Sequence, residues 1–188
     1  MKESIMKQVD LSKYDNSWYK PGSILKRISW YIFGRVFVYT YLPIPIKAKI
    51  LVLKFFGAKI GKGVVIKPKV NIKYPWFLEV GENTWIGESV WIDNLIKIRI
   101  GKNCCISQGA LLLSGNHDYK SSTFDLMTNE IVLEDGVWVS ANSLVTGGVT
   151  MRSHSFLTAG SVLSKSTAAY EIWQGNPATF LKKREIVK

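Results

Sequence analysis

Residues 60–92 read IGKGVVIKPKVNIKYPWFLEVGENTWIGESVWI, and this stretch decides the fold. Counting in sixes from Ile60 finds an aliphatic residue at every step, and the count restarts two residues late at Val80. The same lattice continues towards the C-terminus across one longer interruption. Its fifteen positions are Ile60, Ile66, Ile72, Val80, Ile86, Ile92, Ile100, Ile106, Leu112, Leu133, Val139, Val145, Met151, Leu157 and Leu163.

A period of six predicts short strands joined by tight turns, three to a coil, with the lattice aliphatics stacked inward. One coil cannot bury its own apolar face, so its neighbours must stack on it. Small or β-branched residues recur four places after the lattice residues. A glycine often comes directly after a lattice residue, as in Val80-Gly81. We expect such glycines to supply corner conformations that a side chain would forbid. The sequence therefore predicts an all-β solenoid, a parallel β-helix of about five coils.

The spacing between coils locates one insertion. Ile60 and Val80 are twenty residues apart, as are Val80 and Ile100, whereas Leu133 and Met151 are eighteen apart. Ile100 and Leu133 are thirty-three apart, so the coil between them carries a fifteen-residue insertion. An ordinary sheet protein with glycine turns would not keep fifteen aliphatics in register.

Residue composition and hydrophobic pattern divide the chain into three regions. Residues 1–57 form an N-terminal arm and helical cap, in which an apolar and basic stretch predicts helices. Residues 58–170 form the β-helix, with the loop insertion at 115–130. Residues 171–188 form a C-terminal basic tail.

Length and composition favour one well-buried domain, and the net charge favours an anionic partner. The chain has 188 residues, of which 47% are hydrophobic and 21% charged, and its net charge is +11. Such an excess points to nucleic acid, an anionic membrane surface or a phosphate-bearing cofactor. Zinc-finger spacing, ribonucleoprotein aromatics and a helix-turn-helix pattern are all absent from the sequence, so no nucleic-acid partner is expected.

The cysteines and the opening residues bear on the compartment. Cys104 and Cys105 are adjacent, a spacing that disfavours a disulfide between them, and we expect both to be reduced. The opening MKESIMKQVDLSKYDNSWYK lacks the apolar stretch of a signal peptide. We therefore expect a cytoplasmic protein.

The apolar and basic stretch at 24–56 has two interpretations. Its apolar runs are far shorter than the roughly 20 residues needed to span a bilayer. Its helices either cap the open end of the β-helix or lie on the inner membrane face, with basic residues towards anionic headgroups. The two roles are compatible.

Four stretches resemble the hexapeptide-repeat acyltransferases, and among them the colanic acid biosynthesis acetyltransferases. They are KFFGAKIGKGVVIKPKVNIKYPW, VGENTWIGESVWIDN, IGKNCCISQGALLLSGNHDY and IVLEDGVWVSANSLVTGGVT, followed by AGSVLSK and GNPA. The resemblance also extends to the galactoside and maltose O-acetyltransferases. It implies a left-handed β-helix, acetyl-CoA as co-substrate, a sugar or polysaccharide-precursor acceptor, and a homotrimer with sites between subunits.

His117 is the expected catalytic base. It stands in Asn-His-Asp-Tyr at the start of the insertion, the position where the related sugar acetyltransferases carry their general base. Imidazole, with an unperturbed pKa of about 6.5, suits removal of a hydroxyl proton near neutral pH. The other histidine, His154, lies at an outward corner, where a structural role is expected.

Five residues are expected to bind the acceptor: Asp93, Asn94, Asp118, Tyr119 and Trp138. Asp93 and Asn94 lie one coil before His117, where they either bind acceptor hydroxyls or simply make the turn. Asp118 and Tyr119 would orient the imidazole or the acceptor. By the resemblance Trp138 would line the acyl or acceptor pocket, and otherwise it is an outward aromatic at a subunit contact.

The remaining candidates concern the cofactor. The thioester carbonyl becomes an oxyanion in the transition state, and a backbone N–H of the repeat after the insertion, near Ser140–Ala141, is the expected donor. The AGSVLSK segment resembles the family segment along the pantetheine arm, and the basic residues after Gly-Asn-Pro-Ala would pair with phosphates. The expected cofactor-binding residues are Ser140, Ala141, Ala159, Gly160, Ser164, Lys165, Lys182 and Lys183, with Arg184 beside them.

Other functions stay open at this point. The same fold carries acetyltransferases for antibiotics, amino sugars or serine, although serine acetyltransferases have a longer helical N-terminal domain. A carbonic-anhydrase-like solenoid needs three histidines for its metal, and this chain has two, so no metal is expected. A membrane-surface scaffold is the third possibility.

Overall fold

The structure, a computed structural model, describes residues 8–187. The predicted arm before residue 8 and Lys188 of the predicted tail lie outside the described residues. Two helices come first, α1 (Ile24–Phe37) and α2 (Ile46–Phe55). Short 3-10 turns lie at Leu11–Lys13 and Pro75–Phe77.

The rest of the described chain is built mainly from short strands. In chain order they are β1 (Lys59–Ile60), β2 (Val65–Ile66), β3 (Asn71–Ile72), β4 (Leu78–Val80), β5 (Trp85–Ile86), β6 (Trp91–Asp93), β7 (Ile98–Ile100), β8 (Cys105–Ile106), β9 (Leu111–Leu113), β10 (Gly115–His117), β11 (Leu126–Thr128), β12 (Ile131–Leu133), β13 (Trp138–Val139), β14 (Leu144–Thr146), β15 (Thr150–Met151), β16 (Phe156–Leu157), β17 (Val162–Leu163), β18 (Glu171–Gly175) and β19 (Ala178–Lys183).

These strands form the three faces of a triangular solenoid. Face A runs β1-β4-β7-β12-β15, face B runs β2-β5-β8-β13-β16-β18-β19, and face C runs β3-β6-β9-β14-β17. Neighbouring strands are parallel except β18 and β19. One strand from each face makes a coil, so there are five complete coils, and β18 adds one strand of a sixth coil to face B. The predicted β-helix of about five coils is confirmed.

The lattice aliphatics form the core, as predicted. Every one of the fifteen is at most 6% exposed. The small residues four places further on are buried as well, among them Thr84, Cys104 and Ser143. Each coil therefore presents two inward positions per face, and the stack buries them continuously.

Extra residues are accommodated at one edge only, where face C meets face A. This C–A edge holds the two-residue bulges of the first two coils and, in the third coil, the predicted insertion. The insertion is an antiparallel hairpin, β10 with β11, in which His117 lies opposite Leu126. Leu133 still pairs with Ile100, so the hairpin leaves the register of the solenoid intact.

The glycines that follow lattice residues are needed for a different reason from the one expected. Gly61, Gly81 and Gly101 do not have a positive φ. Instead, a Cβ on Gly81 would lie 2.5 Å from the carbonyl carbon of Gly101 and 2.7 Å from the N of Lys102, in the next coil. The close approach of stacked backbones excludes the side chain. Left-handed conformations occur elsewhere in the corners, for example at Gly136 and Asn103.

The two helices cover the first coil and occupy hydrogen-bond acceptors that its open edge would leave bare. The Trp30 Nε1–H of α1 donates to the carbonyl of Ile72 at 2.9 Å. The buried Lys49 ammonium of α2 donates to the carbonyls of Ile66 and Lys67 at 3.3 and 3.2 Å. Burial lowers the pKa of Lys49. A solenoid end without such partners would be an exposed strand edge.

The predicted C-terminal tail is structured over most of its length. β18 pairs with β16 and extends face B, and β19 folds back on β18. Arg184 fastens the end of this hairpin by donating to the carbonyls of Gly136 and His154, at 3.1 and 3.0 Å. The hairpin covers part of the last coil. Lys182 and Lys183, which were expected in a tail, therefore lie on a strand.

We predict that Gly81→Ala destabilises the protein by about 1–3 kcal/mol, because the next backbone cannot make room for a methyl group. Glu82→Ala, one residue along and exposed, is the matched control and should change stability by no more than about 0.5 kcal/mol. Urea unfolding monitored by circular dichroism measures both. Equal stability of the two variants would contradict the steric role of Gly81.

Candidate active site

The imidazole of His117 is held on the hairpin of β10 and β11 by a hydrogen bond and a ring stack. Its Nδ1 lies 2.8 Å from the carbonyl oxygen of Phe124, on the return side of the hairpin. The Phe124 ring stacks on it, with centroids 4.2 Å apart and planes 10° apart. A carbonyl oxygen only accepts, so Nδ1 carries the proton and Nε2 presents its lone pair. This is the tautomer that a general base requires.

The N-terminal arm completes the surroundings of His117, which the sequence did not reveal. The Tyr14 ring lies 5.6 Å from the imidazole, at an interplanar angle of 59°. The Asp10 N–H donates to the carbonyl of Ser122 at 2.8 Å, which ties the arm to the hairpin. No local motif signals a contact between residues about a hundred positions apart.

Asp118 and Tyr119 do not orient the imidazole, contrary to one of their expected roles. An Asp118 carboxylate oxygen accepts the N–H of Lys120 at 2.9 Å and so shapes the hairpin tip. Tyr119 is 80% exposed. The orienting group is the Phe124 carbonyl, a backbone atom that residue types cannot predict.

Asn94 holds the C–A edge together and is not placed to bind an acceptor. It is fully buried. Its amide oxygen accepts from the N–H of Tyr74 at 3.0 Å, and its amide nitrogen donates to the Tyr74 carbonyl at 2.6 Å. The turn-making interpretation of Asn94 is therefore the one that the contacts favour.

Asp93, its neighbour, has an unused acceptor. The side chain is buried, and its Oδ1 lies 3.6 Å from the ammonium of Lys73. Within residues 8–187 this buried oxygen has no hydrogen-bond partner. The Asp93 carbonyl accepts from the Ser114 hydroxyl at 2.9 Å, directly before the hairpin begins. Nearby, Tyr19 has a raised pKa, because it is half-buried and lies close to Tyr74 and to the charge of Asp93.

Trp138 lies on the outer surface of face B, away from the hairpin. Its ring stacks on Phe156 at 4.4 Å, and its Nε1–H donates to the Ser107 hydroxyl at 2.9 Å. Trp85, two coils earlier on this face, is 58% exposed. Face B therefore presents an aromatic surface that stays exposed in the part of the chain that the structure describes.

The edge between faces B and C, the B–C edge, carries four of the expected cofactor residues. The Ser140 N–H already donates to the carbonyl of Leu157 at 3.0 Å, so it is not free to bind an oxyanion. The Ala141 N–H has no acceptor in the part of the chain that the structure describes. Ala159 and Gly160 follow one coil later and are exposed. Small side chains along this edge leave room for an extended ligand.

The other expected cofactor residues are dispersed. Ser164 and Lys165 are exposed at the C–A edge of the last coil. Lys182 is exposed on β19, whereas Lys183 already pairs with Glu171 at 3.3 Å. Arg184 is occupied by its two carbonyl acceptors. Of this basic group Lys182 is the best placed to meet a phosphate.

One chain does not bring the expected base and the expected oxyanion donor together. His117 lies at the C–A edge, and Ala141 lies at the B–C edge. A face of five to six residues spans roughly 17–20 Å at about 3.3 Å per residue. Acyl transfer needs the reacting atoms about 3–3.5 Å apart. The two groups of one chain therefore flank the solenoid and do not share a pocket.

Comparison with known proteins places this arrangement in context. No protein-family model matches the chain. The chain is 34% identical over 167 residues to the "Putative colanic acid biosynthesis acetyltransferase WcaF" of Escherichia coli (strain K12), covering 88% of this chain and 91% of that relative.

Solved structures share the fold. A maltose O-acetyltransferase from Clostridium difficile 630 superposes with a TM-score of 0.79 at 21% identity, over 87% of this chain and 88% of that chain. A hexapeptide-repeat-containing acetyltransferase of Vibrio cholerae O1 biovar eltor, complexed with acetyl-coenzyme A, gives 0.78 at 18% identity, over 86% and 88%. These likenesses confirm the predicted left-handed β-helix.

We predict that Tyr14→Ala lowers the kcat of acetyl transfer by about three- to tenfold, because the imidazole loses one of its two flanking rings and its orientation loosens. Tyr14→Phe keeps the ring and should retain kcat. Leu11→Ala, exposed on the same arm, is the control. A loss in Tyr14→Phe as large as in Tyr14→Ala would show that the hydroxyl matters and not the ring.

Proposed function

This chain belongs to the hexapeptide-repeat acetyltransferases, in the family of the colanic acid biosynthesis acetyltransferases, and we propose that it moves acetyl from acetyl-CoA to a hydroxyl of a sugar or polysaccharide precursor. The observation that carries this proposal is the Nδ1–H bond of His117 to the Phe124 carbonyl, which leaves Nε2 free as a base. Acetyl-CoA is proposed because the Vibrio cholerae structure of the same fold holds it.

The reaction uses His117 twice. Nε2 removes the proton of the acceptor hydroxyl while the oxygen attacks the thioester carbonyl, and the carbonyl oxygen becomes an oxyanion. The Ala141 N–H stabilises that charge. The tetrahedral intermediate collapses, the C–S bond breaks, and the imidazolium returns the proton to the leaving thiolate. The products are the acetyl ester and free coenzyme A.

Asp93 binds the acceptor in this proposal. A buried carboxylate oxygen that faces an ammonium at 3.6 Å but accepts no hydrogen bond is costly, and a sugar hydroxyl would supply that bond. Asp93 lies one coil below the hairpin root that carries His117, on the same edge. Tyr119, exposed at the hairpin tip, and Asp118 beside it are placed to meet the acceptor or a second copy of the chain.

We propose a homotrimer with each active site between two copies. The hairpin of one copy would approach the B–C edge of the next and bring Nε2 to the thioester bound along Ala141, Ala159 and Gly160. Ser164, Lys165 and Lys182 would bind the outer parts of coenzyme A. The aromatic surface of face B, with Trp138 at its centre, would be covered by this contact.

We also propose that the enzyme works at the cytoplasmic membrane surface. None of the helices in residues 8–187 is long and apolar enough to cross a bilayer. α1 and α2 nonetheless expose large apolar side chains, including Leu25 at 75% and Phe55 at 83%. Such a face, interspersed with basic residues, suits the interface of an anionic membrane.

The first test is thiol release from acetyl-CoA with a panel of sugars, nucleotide sugars, amino sugars and a macrolide. The proposal expects release that depends on a sugar hydroxyl. His117→Ala should lower turnover by on the order of 100- to 10,000-fold while acetyl-CoA still binds. His154→Asn is the matched control and should retain turnover, since asparagine tolerates the left-handed corner. Near-normal turnover of His117→Ala would overturn the assignment.

Subunit mixing tests the shared site. His117→Ala lacks the base, and Ala159→Glu blocks the exposed cofactor edge, so each variant alone should be inactive. In randomly mixed trimers about a quarter of the interfaces pair an intact hairpin with an intact edge, so about a quarter of wild-type activity should return. No recovery in mixed trimers would place each site within one chain.

A further inference from the structure

The positive charge of this protein is concentrated in one segment. Residues 16–78 contain twelve of the 25 lysines and arginines and none of the 14 acidic residues. The rest of the chain, with 13 basic and 14 acidic residues, is close to neutral. The segment comprises both helices and the whole first coil, so the charge lies at the capped end of the solenoid.

A groove at this end gathers part of that charge. It lies between α1 and the outer surface of face C, encloses about 490 Å³, and is lined by Arg27, Arg35 and Lys73 together with aromatic side chains. Trp30 fastens α1 at its floor by donating to the Ile72 carbonyl. Trp91 lies in its wall and is 44% exposed.

Aromatic rings hold Arg35 in place. Its guanidinium carbon lies 5.0 Å from the ring centroid of Tyr31 and 4.8 Å from that of Tyr39. A guanidinium sandwiched in this way has lost much of its freedom before any ligand arrives, yet its N–H groups remain available. Arg27 and Arg35 form no ion pair within residues 8–187, whereas the ammonium of Lys73 lies 3.6 Å from a carboxylate oxygen of Asp93.

The groove leads to the proposed acceptor site. Lys73 lines it and also contacts Asp93, in the next coil of the C–A edge. Tyr74, a further lining residue, is bound through its backbone by Asn94. The strand pairing places Lys73 two coils below Leu113, the end of the strand that leads into the hairpin of His117. At about 4.8 Å per coil, the backbones at these two positions are about 10 Å apart.

We propose that this groove binds a phosphate or diphosphate group carried by the acceptor, with Arg27, Arg35 and Lys73 as its ligands. Arginine forks match phosphate oxygens in pairs, and an unpaired guanidinium next to aromatic rings is suited to that role. A sugar attached to the phosphate would extend along the C–A edge to Asp93 and then to His117. This inference rests on the proposed sugar acetylation and names the class of its acceptor.

The surface that borders the groove favours a lipid-linked acceptor over a soluble one. Tyr31 and Arg35 stand at the boundary between the groove and the exposed apolar stripe of α1, which includes Leu25, Ile28 and Ile32. A lipid chain leaving the phosphate would meet this stripe directly. A nucleoside at the same place would set its base against these apolar side chains.

Calorimetric titration of inorganic pyrophosphate into the intact protein tests the groove. Saturating coenzyme A is present, so that its own phosphate site is occupied. Arg27→Gln/Arg35→Gln should raise the pyrophosphate Kd by about tenfold or more. Lys47→Gln/Lys62→Gln removes two exposed charges from the same acid-free segment, outside the groove, and should change Kd by less than about twofold.

Two outcomes would overturn the groove as a phosphate site. One is wild-type protein that binds no pyrophosphate, and the other is equal weakening in both double variants, which would mean a response to net charge alone. Thermal unfolding of each variant shows whether it is folded. Pyrophosphate binding needs no turnover, so His117→Ala should keep the wild-type Kd. The experiment can therefore contradict phosphate binding in the groove without contradicting the proposed catalysis, and the reverse also holds.

The source of the phosphate is tested with three further probes: farnesyl diphosphate, UDP-glucose, and vesicles of phosphatidylcholine with and without phosphatidylglycerol. A lipid-linked acceptor predicts that farnesyl diphosphate binds more tightly than pyrophosphate and that Leu25→Ser/Ile32→Ser removes only this gain. Sedimentation with the anionic vesicles should weaken with salt and with the same serine variant. Tighter binding of UDP-glucose than of farnesyl diphosphate would overturn the lipid-linked source.

Discussion

The close stacking of one coil on the next is the constraint on which the rest of the structure depends. Backbones in successive coils pair in register, lattice aliphatics fill the interior, and a Cβ at Gly81 would collide with the coil above. Nothing can be added inside such a stack, and nothing can be added along a face without shifting the pairing. Additional residues must leave at an edge, and here they leave at the C–A edge. The positions of the proposed base and of the proposed acceptor contacts follow from that restriction.

The lattice made the solenoid predictable because each inward position recurs with a fixed period and few residue types satisfy it. Ile60 and Leu163 could be assigned to the core from spacing alone, and both are buried. The hairpin β18–β19 was not predicted, since its strands are largely exposed and carry no inward period. The reason for the glycines was also misjudged. A steric clash with a residue twenty positions away is invisible in the local sequence.

The candidate site was predictable in part. His117 stands in a short motif at the start of the insertion, and its residue type suits the chemistry. The Phe124 carbonyl and Tyr14 could not be found in the same way, because one is a backbone atom and the other arrives from a distant segment. Asn94 illustrates the converse: an amide is equally suited to bind a sugar or to close a turn, and only its contacts with Tyr74 decide between them.

The undisturbed pairing of Leu133 with Ile100 across the hairpin has a consequence for how such enzymes diversify. The segment that bears the proposed base leaves the stack at the end of one coil and rejoins it at the start of the next, and the pairing of the coils continues unchanged across it. Selection can therefore reshape what the enzyme recognises without retuning what keeps it folded. One solenoid can then serve a range of acceptors, each bound by a different insertion at the same edge.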